Sequence, residues 1–446
     1  MTSLTDLRAA LDGALLLPGD ADYDAASSTH YATGSPVAVV VAGSTADAAA
    51  AVRHAAAAGL RLSVKGGGHG TSGASTNAGG LVLDLSRLDS VEVVDPAAAL
   101  VRIGGGATWG SVAEALATHG LALTSGDTVS VGVGGLTLGG GIGWLVRKYG
   151  LALDSLVAAE VVTANGDVVT ASESEHPDLF WALRGGGGNF GVVTQFTFEA
   201  HPLEGVVSGT IDLDPATLAQ TLRRWRDVMR SAPEELNVTF AALPSFGPDA
   251  PPVVQLGVCF GGADPVAADA AIAPLLALPG VLGHDIKPMA YREVLVENPG
   301  PPPGITIVDS NAFANDFSDE LIDQLVGIHS GPTGGVLMIR SLRGAFNRVP
   351  SDATAFAWRD AEVLIIAVGF VPPGAPDDTA AAIRASWSAL GDRVTGMYGN
   401  FSSQDDEAAL ERMYPPATRA RLEAVKAQVD PGNLFHGNQS LVPASA

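Results

Sequence analysis

Two glycine-rich segments constrain this chain more than any other feature. The first, residues 64–73, reads VKGGGHGTSG, and the second, residues 126–144, reads GDTVSVGVGGLTLGGGIGW. Both read as loops, because glycine has no side chain to pack and loses the most freedom on ordering. Such runs can, however, let consecutive backbone N–H groups converge on an anion with no Cβ in the way. A strand-like alternation of Leu60, Leu62 and Val64 leads into the first segment, and a single imidazole, His69, stands among its glycines. Taken alone, either segment reads most simply as tight turns between packed strands. Together, with His69 in one of them, they point to a cradle for a phosphorylated cofactor.

The common nucleotide motifs do not account for them. Gly68-Gly70-Gly73 and Gly186-Gly188-Gly191 both match G-x-G-x-x-G in form. A dinucleotide fingerprint needs a strand before it and a helix after it. The first match runs into ASTNAGG, which is no helix, and the second follows a helix and precedes a strand. No G-x-x-x-x-G-K-[ST] occurs, so a P-loop is excluded.

With 446 residues the chain is too long for one core and is expected to form two or three lobes. Its net charge, 25 − 48 = −23, comes without a Lys/Arg cluster. That argues against nucleic acid, which is bound by basic residues displacing counterions, and against anionic membranes. No apolar run is long enough to span a bilayer, and the N-terminus lacks the pattern of a secretory signal. The lone cysteine, Cys259, excludes an internal disulfide and reads as a buried apolar residue. A cytoplasmic location is the expectation. Local patterns predict a strand at 37–42, then a helix with a Ser44–Asp47 capping box, stopped by Gly59. They also predict a helix capped by Thr108, a hairpin turned at Asn165-Gly166, and a C-terminal helix in PPATRARLEAVKAQ. The texture changes near residue 203 and returns to a tight pattern near 400, which gives a first domain, 1–203 completed by 400–446, and a second, 204–399. The class is α+β with mixed sheets.

Four blocks in order resemble the berberine bridge enzyme-like branch of the vanillyl-alcohol oxidase/p-cresol methylhydroxylase flavoproteins. They are VKGGGHG, the segment from GDTVSVGVGG to VVTANGDVV, HPDLFWALRGGGGNFGVVTQFTF, and VDPGNLFHGNQSL. The resemblance covers roughly the first two hundred residues and the last fifty, with a looser match at RGAFNRVPSDATAFAWR. It implies a bilobal FAD-binding fold whose substrate domain is an antiparallel sheet covered by helices. It implies FAD bonded through its 8α-methyl to His69, which would stabilise the reduced ring; a turn histidine bonded to backbone is the plain alternative. Flavin contacts are implied at Lys65, Gly66, Gly67, Gly68, His69, Gly70, Thr71 and Ser72. They continue at Gly126, Asp127, Thr128, Val131, Gly132, Gly134, Gly135, Gly140, Gly141 and Gly143, and at Asn189, Gly191, Val192, Val193, Asn438 and Gln439. No metal is expected.

Three departures matter. Thr128 stands where many relatives attach the flavin a second time through cysteine, so the link is expected through His69 only. Leu136 stands where a histidine is frequent. Phe401 stands where many relatives carry a catalytic tyrosine, in the segment Tyr398-Gly399-Asn400-Phe401. The expected activity is hydride transfer from a small organic substrate to flavin N5, with O₂ reoxidising the flavin to give H₂O₂. Val131 matches a position where a small residue admits O₂. A dehydrogenase with another acceptor and a flavin-free binding protein are the alternatives. Oxidation of an alcohol needs a base. Tyr398, Tyr291 or a carboxylate of the second lobe is the first expectation, and an amine substrate that needs no base is the second. Glu293, Asp309, Asp316 and Arg340 are expected on solvated faces, and Trp109 and Trp144 in the core. A monomer or homodimer acting on a small molecule follows.

Overall fold

The structure, a computed structural model, describes residues 3–245, 250–297, 305–437 and 439–444. Asn438 and parts of the two proline-rich loops lie outside these residues. Among the described residues, no helix is long and apolar enough to cross a membrane.

The chain first forms a four-stranded sheet in the order Ala14–Leu16, Ala38–Val41, Leu81–Asp84, Leu62–Lys65. The last three strands are parallel and almost side-chain-continuous in Val and Leu, as strands buried on both faces must be. Helix Thr45–Ala58 crosses between two of them, starting at Ser44 and ending at Gly59 with φ +62°. The predicted capping box is only half made. Ser44 Oγ accepts from Asp47 N, but the Asp47 carboxylate turns to the N–H groups of Asp12, Gly13 and Gly43. The carboxylate therefore pins the N-terminal segment instead of closing the helix.

A five-stranded antiparallel sheet follows, in the order Val91–Asp95, Leu100–Gly104, Val192–Glu199, Leu156–Val162, Val168–Ser172. Its hairpin turns at Asn165-Gly166, where Gly166 has φ +77°. Phe196, Phe198, Trp109 and Leu179 fill the core beside it, joined by Leu410, Met413, Leu422 and Val425 from the C-terminal helices Glu407–Met413 and Pro416–Val429. Cys259 is buried in the same core, and burial pushes its thiol up to about 12.

Residues 206–371 form a seven-stranded antiparallel sheet. Strand period decides its two faces. Val238, Phe240, Leu256, Ile339 and Ile365 pack under helices Leu218–Ser231, Pro265–Leu276, Asp319–Ser330 and Thr379–Ser388. The alternating residues, including Met338, Arg340, Ile366 and Asn311, turn toward the glycine segments and the Tyr398 aromatic cluster. The arrangement is α+β with antiparallel sheets, and it brings the glycine segments against the seven-stranded sheet.

Candidate active site

The parallel ladder stops at Lys65, paired with Asp84, and the first glycine segment begins there. Among the described residues, none of the N–H groups from Gly67 to Gly70 has a backbone acceptor. The buried Thr71 Oγ1 has no partner either. The second segment, expected as a loop throughout, forms a helix over Val133–Gly139, where Val133 and Leu138 have a core to pack into, and its start lies directly against the first segment. A Cβ on Gly67 would come within 2.3 Å of Gly132 N, and one on Gly132 within 2.4 Å of Gly67 N. Glycine at both positions is what lets the two loops touch. A Cβ on Gly70 or Gly135 would meet no atom within 4 Å, so space opens beside the unpaired donors. Unpaired N–H groups with room in front of them fit the diphosphate of FAD.

His69 is half-buried at this junction. Its Nε2 lies 2.7 Å from Ser130 Oγ, and Ser130 donates to Glu297 Oε1 at 2.7 Å. The His30 ring stacks on it with centroids 3.6 Å apart. Burial and the neighbouring His30 charge hold the imidazole below its ordinary 6.5, against the pull of Glu297. His69 is thus bonded to a side chain and not to backbone. His30, Ser130 and Glu297 were not among the expected residues.

The second segment is clamped by the second lobe. Asp127 is paired with Arg340 of strand Val336–Ser341. Backbone bonds from Val296 N to Asp127 O (2.9 Å) and from Val129 N to Val296 O (3.3 Å) flank the pair. Burial alone would push the Asp127 carboxyl up, but the Arg340 guanidinium brings it below its ordinary 3.8. Arg340 is 6% exposed, Asp309 is 7% exposed, and Asp309 accepts from Ser403 N and Oγ. The expected solvated face is wrong for these two. It holds for Asp316, in a surface pair with Arg230, and for Glu293, which caps Ala290 N. Thr128 is buried with its hydroxyl toward Asp127 (3.3 Å). Val131 packs partly against the first core and accepts Trp109 N–H through its carbonyl. Trp109 is core, as expected. Trp144 is partly buried over Gly257, with Nε1 unpartnered.

The two tyrosines do not present a free base. Tyr398 is 2% exposed, and its oxygen accepts from Gly141 N (2.9 Å), Asn400 Nδ2 (2.9 Å) and Ile142 N (3.4 Å). Burial raises this phenol despite those donors. Its ring closes on Gly140, whose φ is +144°, and Gly141 follows at φ +91°. Tyr291 is buried with its hydroxyl 2.9 Å from Ser125 Oγ, and burial pushes its phenol far above 10.0. A Cβ on Gly143 would strike the carbonyl of the same Ser125.

Other residues of the expected set are bonded to the protein itself. The Lys65 ammonium bonds Ala25 O and Ala26 O and pairs with Asp84. Asn189 donates to Gly186 O and accepts from Leu441 N, while Gln439 donates to Gly399 O. Lys426, wholly buried, donates to Asn189 O and Phe435 O and pairs with Asp430. These polar groups staple the C-terminal return to the 186–191 turn. Gly191 packs under Val161 and Val162, where Val192 and Val193 enter the five-stranded sheet.

Residues 36–172 match the FAD binding domain family, and residues 397–442 match the family described as berberine and berberine like. The chain is 32% identical to (R)-6-hydroxynicotine oxidase of Paenarthrobacter nicotinovorans, over 97% of each chain. It belongs to the FAD-linked oxidases of the berberine bridge enzyme-like family. The crystal structure of 6-hydroxy-D-nicotine oxidase from Arthrobacter nicotinovorans superposes on this oxidase with a TM-score of 0.86 at 29% identity, covering 99% of this chain and all of the other. Glucooligosaccharide oxidase from Acremonium strictum, described with a 6-S-cysteinyl, 8α-N1-histidyl FAD, has a TM-score of 0.85 at 26% identity and full coverage of both chains. In this FAD-linked oxidase the two glycine segments, His69 and the Asp127–Arg340 pair lie together, and the Arg340 guanidinium is 5.5 Å from the centre of the Phe401 ring.

Proposed function

We propose that this oxidase acts on a small organic amine, holds FAD covalently through His69 alone, and returns electrons to O₂. The observation that carries the amine reading is that four groups that could take a proton are already engaged. Tyr398 already accepts three hydrogen bonds, Tyr291 is bound to Ser125, Asp127 to Arg340, and Asp309 to Ser403. Alcohol oxidation needs a base to take the hydroxyl proton, which contributes roughly 10²–10⁴-fold. A neutral amine supplies its own lone pair and needs none. FAD supplies hydride acceptance at its ring. Residues 1–203 with 400–446 hold it, and 204–399 cover the substrate. The hydroxynicotine-oxidising relatives support this reading, and the glucooligosaccharide oxidase supports an alcohol as the second one.

A peroxide screen of cyclic amines against oligosaccharides tests the substrate class. Flavin reduction by an amine should follow only that substrate's own ionisation. Turnover of oligosaccharides with amines inert would reject the amine reading. Acid precipitation tests the link: flavin should stay with the polypeptide in the wild type and be released from His69→Ala. Thr128 offers no thiol for a second bond. We place the protein in the cytoplasm as a monomer or homodimer.

A further inference from the structure

A covalent link through His69 requires that its imidazole act as a nucleophile, and three contacts bear on how it does so. His69 Nε2 is 2.7 Å from Ser130 Oγ. Ser130 Oγ donates to Glu297 Oε1, also at 2.7 Å. A hydroxyl has one proton, and a carboxylate only accepts. With that proton committed to Glu297, Ser130 meets His69 with a lone pair, so Nε2 carries the imidazole hydrogen. A neutral imidazole has one N–H, and Nδ1 is then the nitrogen with the free pair. The stacked His30 ring, at 3.6 Å between centroids and 28° between planes, holds the ring plane and opposes a second proton on His69.

We propose that Glu297 and Ser130 form a proton relay that fixes this tautomer and removes the Nε2 proton as Nδ1 bonds to the flavin 8α-carbon. The inference rests on the His69 link proposed above. One N–C bond forms and one methyl C–H bond breaks. The methyl gives its proton to water. The Nε2 proton passes to Ser130 as the Ser130 proton passes to Glu297, which is exposed and can hand it to water. The electron pair of the broken C–H bond reaches O₂, which leaves with two protons as H₂O₂. Ser130 and Glu297 are positioning residues, since they act through His69. Glu297 comes from the second lobe, 167 residues from Ser130, delivered by the pairing of Thr128 with Val296. The relay is therefore complete only when both lobes are folded together.

The test uses the full chain purified as expressed and incubated with excess FAD in air. Acid-stable flavin is followed in time, total bound FAD is measured separately, and the linked nitrogen is identified in the His69 peptide from the pH dependence of its fluorescence. The wild type should link through Nδ1. Ser130→Ala and Glu297→Gln should slow linkage at least about tenfold per FAD bound. Ser130→Ala should also yield a mixture of Nδ1 and Nε2 linkages, and Ser130→Thr should restore the rate. If Ser130→Ala does not fold, the exposed, isosteric Glu297→Gln carries the test. Linkage of both variants at the wild-type rate, or a wild-type bond through Nε2, overturns the relay and leaves the His69 link standing. A wild type whose flavin is released entirely by acid overturns the link and the relay together.

Discussion

Tyr398→Phe separates a scaffold from a catalytic base. In the native chain the phenol oxygen collects donors from Gly141, Asn400 and Ile142, and its ring sits among Phe313, Phe356 and Phe401. Removing the oxygen leaves the Gly141 N–H facing an apolar cluster, with a gap too small for water. Asn400 keeps its second bond, to Leu136 O at 3.0 Å, so its loss is softened. An unsatisfied buried donor costs about 1–3 kcal/mol, so the variant should lose about 2–4 kcal/mol, mostly at Gly141 and Ile142. Thermal unfolding should fall by several degrees, and the Gly140–Gly141 turn should exchange its amides faster. Anaerobic stopped-flow reduction of the surviving holoenzyme should stay within about threefold of wild type, because nothing in the chemistry was removed. A base in this position would lose the same bonds but would also slow reduction about 10²–10⁴-fold. A well-folded variant with full FAD content and reduction slowed a hundredfold or more would refute the scaffold assignment, and the amine reading with it.

Val131→Leu should slow reoxidation of photoreduced enzyme by air-saturated buffer and leave the reductive half-reaction nearly intact; reoxidation at the wild-type rate would discard Val131 as an oxygen gate. Gly67→Ala drives a Cβ to 2.3 Å from Gly132 N, so it should cost about 1–3 kcal/mol and lower FAD content as purified, which flavin-to-protein absorbance checks. The Asp127 carboxyl titrates below its ordinary 3.8 when folded, so between the folded value and 3.8 the unfolded chain binds more protons. The stability the Arg340 pair contributes is therefore complete above 3.8 and lost as pH falls through the folded value. Asp127→Asn should flatten the acid limb of the Tm–pH curve, and an unchanged limb would show that the pair is not what fails in acid.

Much of the fold was legible because its signals are local. Ser44, Thr108 and Gly59 terminate helices through caps that need only neighbouring backbone. The Asn165-Gly166 turn and the apolar run of Val39, Val40 and Val41 likewise carry their meaning within a few residues. The glycine segments announced a cradle for the same reason. The misreadings share the opposite property. Asp47 looked like a capping residue until its carboxylate found Asp12 and Gly13, 35 and 34 residues away. Arg340 read as solvated until its strand brought it to Asp127, 213 residues away.

Glycine-rich loops have little shape of their own, so the shape of this cradle is imposed by contacts from far along the chain. Asp127 is held by Arg340 across 213 residues, Ser130 by Glu297 across 167, and Gly141 by Tyr398 across 257. Each clamp joins a glycine segment to the second lobe or to the C-terminal return. No periodicity within a window of the sequence could name Arg340 or Glu297, because a charged residue in a strand or a proline-rich loop reads as solvated until its partner is known. Flexible loops can approach a cofactor closely, and the groups that hold these segments come from the seven-stranded sheet and the chain around it. Changes there, at Arg340 or Glu297, should therefore be felt at the flavin even though neither residue belongs to the flavin-binding loops.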